Sequence, residues 1–185
     1  VEVFQRAGYR TAGFVSASPL KRGTGVEQGF KNFDEPEAPS RKAFRTVDKA
    51  RGWLSRWSTH QVRPFFLWVH LFDPHTPLSP PPPYDTQFEP EPDLDRFLQD
   101  RAVSLSERVS GLEVDPVQTS NLYDGELAYM DACLGPLLQD LATAEWWDRT
   151  VLLWNVHYQT SAPALGAHIT ANYYSPEHVH LYTTW

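Results

Sequence analysis

The period of the apolar positions changes several times along this chain, and each change marks an element. Val3, Phe4 and Ala7 share one helical face before Gly8, a natural helix stop, and an apolar run follows at residues 11–15. The pattern predicts helix, turn, strand. Residues 18–39 hold Gly23, Gly25 and Gly29 with interspersed prolines, which is loop composition wrapped around Phe30 and Phe33. Across residues 41–59 the apolar positions Ala43, Val47, Ala50, Leu54 and Trp57 recur at helical spacing and predict an amphipathic helix that packs on a sheet. Residues 65–69 are apolar without alternation, as in a strand covered on both faces. The prolines at 80–83 cannot join a sheet interior. Residues 84–118 are acidic and proline-rich and read as an irregular, exposed excursion with a short helix near 94–103. Leu122, Met130, Cys133, Leu134, Leu137, Leu138 and Leu141 then mark a second long helix, kinked at Pro136, before a third buried-strand candidate at 149–154, RTVLLW. Helices and strands alternate throughout, which predicts an α/β fold with a largely parallel sheet sandwiched by helices.

Composition narrows the partners. The 185 residues carry a net charge of −7, a field that attracts neither nucleic acid nor an anionic membrane surface. No apolar run approaches a membrane span, and no signal peptide is visible. A single cysteine, Cys133, leaves no disulfide framework, and its place on a helix face reads as a structural thiol.

Candidate chemistry concentrates in residues 64–83, PFFLWVHLFDPHTPLSPPPP, where the buried strand opens into a polar loop carrying Asp73 and His75. Pro74 and Pro77 restrict the backbone on either side of His75. Ligands of open α/β sheets gather outside the carboxyl ends of the strands, so His75 is placed to meet one; the alternative is a turn histidine that touches water. Asp73 suits either orienting His75 or bonding its own turn, and turn duty is the simpler role. Lys21 and Arg22 follow the first strand and suit either an anionic substrate or a solvated loop. Asp124 and Glu126 fall where the second long helix is expected to begin, and favourable interaction with its dipole explains them.

As an ordered set, the blocks EVFQRAGYRTAGFVSA, GVEQGF with FDEP, FFLWVHLFDPHTPLSPPPPYD, and YDGELAYMDACLGPLL with WWDRTVLL resemble the middle of bacterial sulfatases of the alkaline-phosphatase superfamily. The resemblance spans roughly residues 2–153 and implies part of a sulfatase-like domain over 1–185, with a divergent tail at 154–185. It implies a hydrolase of sulfate monoesters in which a formylglycine, made from cysteine or serine, attacks sulfur beside a bound calcium ion. The expected partner is a small-molecule or carbohydrate sulfate ester, and the expected location is outside the cytoplasm. In such enzymes the histidine of the block reading DPHTP here faces the ester. His75 matches it, and an imidazole could pass a proton to the departing oxygen or hold a sulfate oxygen. Lys21 and Arg22 lie where the family also places a polar loop, and there they could face an anionic substrate.

The chain departs from the family in two places. The Cys/Ser-X-Pro-X-Arg nucleophile motif and the paired metal aspartates of sulfatases lie upstream of the matching region, and neither occurs here. After RTVLL the family reads Thr-Ser/Ala-Asp-His-Gly-Glu, whereas this chain reads WNVHYQTSAPALGAH, placing His157 at the metal-binding aspartate. Nitrogen in place of a carboxylate disfavours calcium; zinc would suit His157, His168, His178 and His180 better, although surface histidines are the simpler reading. Two further readings stay open: a phosphoesterase or phospho-alcohol transferase of the same superfamily, and a non-catalytic sulfatase-like remnant. The sulfatase reading implies no activity for the isolated chain, and reduced stability from loss of a central strand.

Overall fold

The computed structural model describes residues 1–56, 63–88, 116–144 and 147–153, with the backbone alone described at 116–120. Among the described residues three strands form one parallel sheet in the order β2-β1-β3: β1 (Arg10–Val15), β2 (Asn32–Asp34) and β3 (Phe65–His70). Helix α1 (Glu2–Arg6) precedes β1, α2 (Ala43–Ser55) connects β2 to β3, and α3 (Pro116–Ala142) follows the histidine loop. The α/β reading with a parallel sheet is therefore observed. The chain divides into two compact units, Val1–Asp140 and Leu141–Trp185.

Strand β1 lies between its neighbours, and Thr11, Ala12, Phe14 and Val15 are buried. Successive side chains of a strand point to opposite faces, and β3 uses both. Phe66 stacks on Phe4 of α1 with ring centroids 4.6 Å apart, and Trp68 stacks on Phe30 at 5.9 Å. On the other face Phe65 meets Trp53 of α2 edge-on at 6.1 Å. Helix α2 buries Ala43, Thr46, Val47, Ala50, Trp53 and Leu54. Its core face follows the helical spacing of the sequence, and the helix ends before Trp57, which lies outside the described residues.

Several expectations are corrected. Residues 18–39 are not all loop: a 3-10 turn at Ser18–Leu20 and strand β2 lie within them, with Phe33 of β2 buried. Three residues are too few to show an alternating pattern, so β2 was masked by the flanking glycines. The described residues of the third strand candidate, 149–153, are not a strand: Trp147–Arg149 is a 3-10 turn, and residues 150–153 carry no sheet pairing, with Val151 and Leu153 exposed. An apolar β-branched run becomes a strand only beside a neighbour that completes its ladder. Helix α3 begins at Pro116, inside the segment read as irregular, and continues through Pro136. The short helix near 94–103 and the tail at 154–185 lie outside the described residues.

Gly13 sets the spacing of β1 against the aromatic layer. A Cβ there would stand 2.9 Å from Phe33 Cδ2 and 3.2 Å from Phe30 Cε1. Gly13→Ala is therefore expected to overpack this contact and cost about 1–3 kcal/mol. Urea denaturation checks it, and an unchanged midpoint would show that the rings move aside freely.

Candidate functional site

All three strands run parallel, and Val15 stands opposite His70 in the register. The segments that leave β1, β2 and β3 therefore emerge on one edge of the sheet. That edge receives Ser16 and Lys21 after β1, Glu35 after β2, and Asp73 and His75 after β3. The N-terminus of α2 begins there too, since Arg41 N–H donates to Ser16 O at 2.9 Å.

His75 is exposed, and two contacts hold its ring. It stacks on Phe72 with centroids 4.2 Å apart, and its Nδ1 lies 2.7 Å from Thr76 O. A carbonyl only accepts, so Nδ1 carries the proton. Nε2 is the nitrogen left for chemistry outside the loop: in the neutral ring it accepts a hydrogen bond, and in the imidazolium it donates one.

Asp73 neither orients His75 nor serves its own turn as its main duty. It is buried, and its Oδ1 accepts the backbone N–H of Ala43 at 3.0 Å. The residue before α2 is Lys42, which has no side-chain acceptor, so Asp73 caps the helix from across the edge. Burial holds the Asp73 carboxyl above its ordinary value of 3.8, opposed by the Ala43 N–H and by Lys42.

The acidic residues of α3 also change role. The helix starts at Pro116, so Asp124 and Glu126 are not in its first turn, and the dipole does not explain them. Glu126 is fully buried and accepts from Lys42 Nζ at 2.8 and 3.1 Å and from Ser79 N–H at 2.8 Å. Lys42 Nζ also donates to Ser79 O at 2.8 Å. No local sequence signal marks Glu126, because its partners lie far away in the chain.

Lys21 is half-buried and closes the 3-10 turn after β1, its carbonyl accepting the Thr24 hydroxyl at 2.8 Å. Arg22 is exposed and anchored at one nitrogen: its guanidinium Nη2 donates to Phe33 O at 2.7 Å and lies over the Phe33 ring. Arg41 has the comparable structural role on the other side, ion-paired to Asp34 and donating from Nε to Thr46 Oγ1 at 2.8 Å. Thr46 in turn shares a buried 2.6 Å hydroxyl contact with Ser16. Cys133 is half-buried on α3, and burial raises its thiol, in keeping with a structural residue. His157, His168, His178 and His180 lie outside the described residues. Among the described residues no three His, Cys, Asp or Glu side chains gather closely enough to hold a metal ion.

One residue that sequence reasoning passed over is His70, the last of β3. Its ring sits 6.0 Å from both Trp68 and Phe72, burial lowers its pKa from 6.5, and Nδ1 is buried without a hydrogen-bond partner. Asp73 Oδ2 and Arg41 Nη2 are also buried without a partner. Such atoms cost about 1–3 kcal/mol each and are uncommon in folded proteins. All three belong to this edge of the sheet, which makes it the candidate site.

The raised Asp73 carboxyl yields a signed pH effect. The folded state holds the Asp73 proton more tightly than the unfolded chain does. Its contribution is therefore full below the ordinary value of 3.8 and is lost as pH rises through the raised folded value. Asp73→Asn keeps an acceptor for Ala43 and is expected to flatten that decline, whereas Asp73→Ala removes the cap and costs about 0.5–2 kcal/mol at every pH. Denaturation of the three proteins across pH 3–7 checks both; parallel curves for wild type and Asp73→Asn would refute the burial effect.

Comparison with known proteins gives the family of the chain. The family described as Sulfatase matches residues 1–154. Among curated proteins none matches. A solved structure of a protein in the alkaline phosphatase superfamily from Vibrio parahaemolyticus is 16% identical, with a TM-score of 0.47, covering 80% of this chain and 32% of that one. The chain thus spans about a third of that protein's length. With the family match extending over most of its residues, the chain belongs to the sulfatase family.

Proposed function

We propose that this chain contributes the leaving-group side of a sulfate-monoester hydrolase, with His75 as the residue that meets the ester. The observation that carries the reading is the presentation of the His75 ring: Nδ1–H is held by Thr76 O, one face rests on Phe72, and Nε2 remains for the substrate. Hydrolysis breaks the S–O bond to the alcohol, and the departing oxygen must gain a proton. His75 Nε2–H, in the imidazolium, donates it and becomes the acceptor form. Lys21, on the same edge, would attract the anionic sulfate group at longer range.

The family implies a divalent metal and a formylglycine nucleophile. The described residues do not fit the metal, since they offer no cluster of three ligands, and His157 lies outside them. No residue of the 185 matches the nucleophile motif. The proposed step of this chain is therefore proton delivery alone, with attack on sulfur supplied by residues that the sequence does not contain.

Two expected outcomes follow. The 185-residue chain alone leaves 4-nitrophenyl sulfate intact; turnover that His75→Ala abolishes would contradict this. Joined to the residues that carry the nucleophile, His75→Ala lowers kcat/KM for alkyl sulfates by about 10²–10⁴, the usual worth of a general acid. The loss should be much smaller for 4-nitrophenyl sulfate, whose phenolate leaves without help. Equal losses on the two substrates would remove proton donation from the account, and faster cleavage of the matching phosphate esters would favour a phosphoesterase.

A further inference from the structure

The loop carrying His75 is tied down on both sides of that residue, and both ties run to two consecutive residues, Lys42 and Ala43. Before His75, Asp73 Oδ1 accepts from Ala43 N–H at 3.0 Å. After it, Ser79 O accepts from Lys42 Nζ at 2.8 Å, and Ser79 N–H donates to Glu126 Oε1 at 2.8 Å. Glu126 closes the circuit by accepting from Lys42 Nζ at both oxygens.

We propose that Glu126 is a positioning residue for His75: from α3 it fixes Ser79 and Lys42, and so sets where the histidine loop stands on the sheet edge. The inference rests on the functional reading of His75 but concerns a residue that touches neither the histidine nor a substrate. Glu126 has 0% exposure, the largest fully buried side chain of the described residues. A buried carboxylate is retained only with its hydrogen bonds satisfied, and here one of the three bonds goes to the backbone of the loop itself. The approach of α3 is equally specific. A Cβ on Gly125 would collide with Tyr84 O and stand 3.0 Å from Pro80 Cγ, so the residue beside Glu126 is bare where the end of the loop passes. The ring of Tyr129, one turn further on, packs edge-on against Tyr84 at 5.6 Å and lies beneath Lys42 Nζ at 5.9 Å. Residues 79–84 are thus gripped along α3 by a carboxylate, a glycine and an aromatic ring. The two prolines that flank His75 restrict the intervening backbone, so fixing Asp73 and Ser79 also fixes the histidine.

The test uses the complete 185-residue chain and needs no substrate. Imidazole ¹⁵N NMR, with the His75 signal assigned through His75→Gln, reports the tautomer that Thr76 O enforces. Amide exchange reports Ser79. In wild type the account expects one Nδ1–H tautomer and a Ser79 amide protected like the core amides of α2. Glu126→Gln keeps an acceptor for Ser79 N–H and should preserve the His75 signal. The double variant Lys42→Met/Glu126→Leu removes both charges together, so neither is stranded. It should remain folded while Ser79 protection falls about tenfold or more, with His75 moving to a mixture of tautomers. A folded double variant with the wild-type His75 signal overturns the proposal. If the double variant does not fold, wild type decides: a Ser79 amide that exchanges like an exposed loop amide overturns it, and a protected one, with the signal retained in Glu126→Gln, upholds it. Should His75 prove irrelevant to ester cleavage, the functional reading fails while these readouts still judge the grip of Glu126 on the loop.

Discussion

The free N–H groups at the start of α2 are the constraint on which this structure turns. A helix leaves its first amides without partners inside its own ladder, and one that begins at Ala43 after a lysine has no N-cap side chain to accept from them. The acceptor comes from Asp73, thirty residues later in sequence, at the end of a different strand. That bond joins the helix to the histidine loop. Lys42, instead of capping the helix, reaches outward to Ser79 and Glu126, so neighbouring residues at one helix end hold both ends of the loop. Ser16 and Thr46 join β1 to the first turns of the same helix. The result is a sheet edge whose three outgoing segments are organised around one helix terminus.

This arrangement also explains why the edge tolerates unfavourable features. Asp73 is kept in a site that resists its ionisation, His70 in one that resists its protonation, and Arg41 holds a buried nitrogen without a partner. Each weakens the fold, and the aromatic layer of Phe4, Phe30, Phe66 and Trp68, with Trp53 on the opposite face, offsets them. Functional edges of α/β sheets are where such local costs are expected to collect.

How much of this was legible in the sequence depended on the range of the interaction. Local signals located α1, β1, α2, β3 and α3: a glycine stop after α1, apolar runs at β1 and β3, and helical spacing of apolar residues in α2 and α3. They missed β2, where only Phe33 is buried, and promoted residues 149–154 to a strand from composition alone. His75 was visible as a candidate because prolines bracket it at a strand end. Asp73 and Glu126 were visible as residues but not as roles: their partners lie thirty and eighty-four positions away, and no spacing rule connects them. The bond from Arg22 to the Phe33 carbonyl was hidden for the same reason, since that carbonyl belongs to the strand that was overlooked.

The chain belongs to the sulfatase family, and α2, α3 and the histidine loop form the edge on which the proposed role of His75 rests. The most direct test is a crystal structure of the chain with an uncleaved aryl sulfate bound. The account predicts the bridging oxygen of the ester within hydrogen-bond distance of His75 Nε2, with the Asp73–Ala43 and Ser79–Glu126 bonds intact. An ordered ester bound away from His75, or a His75 loop detached from Lys42 and Ala43 when the ester binds, would contradict it.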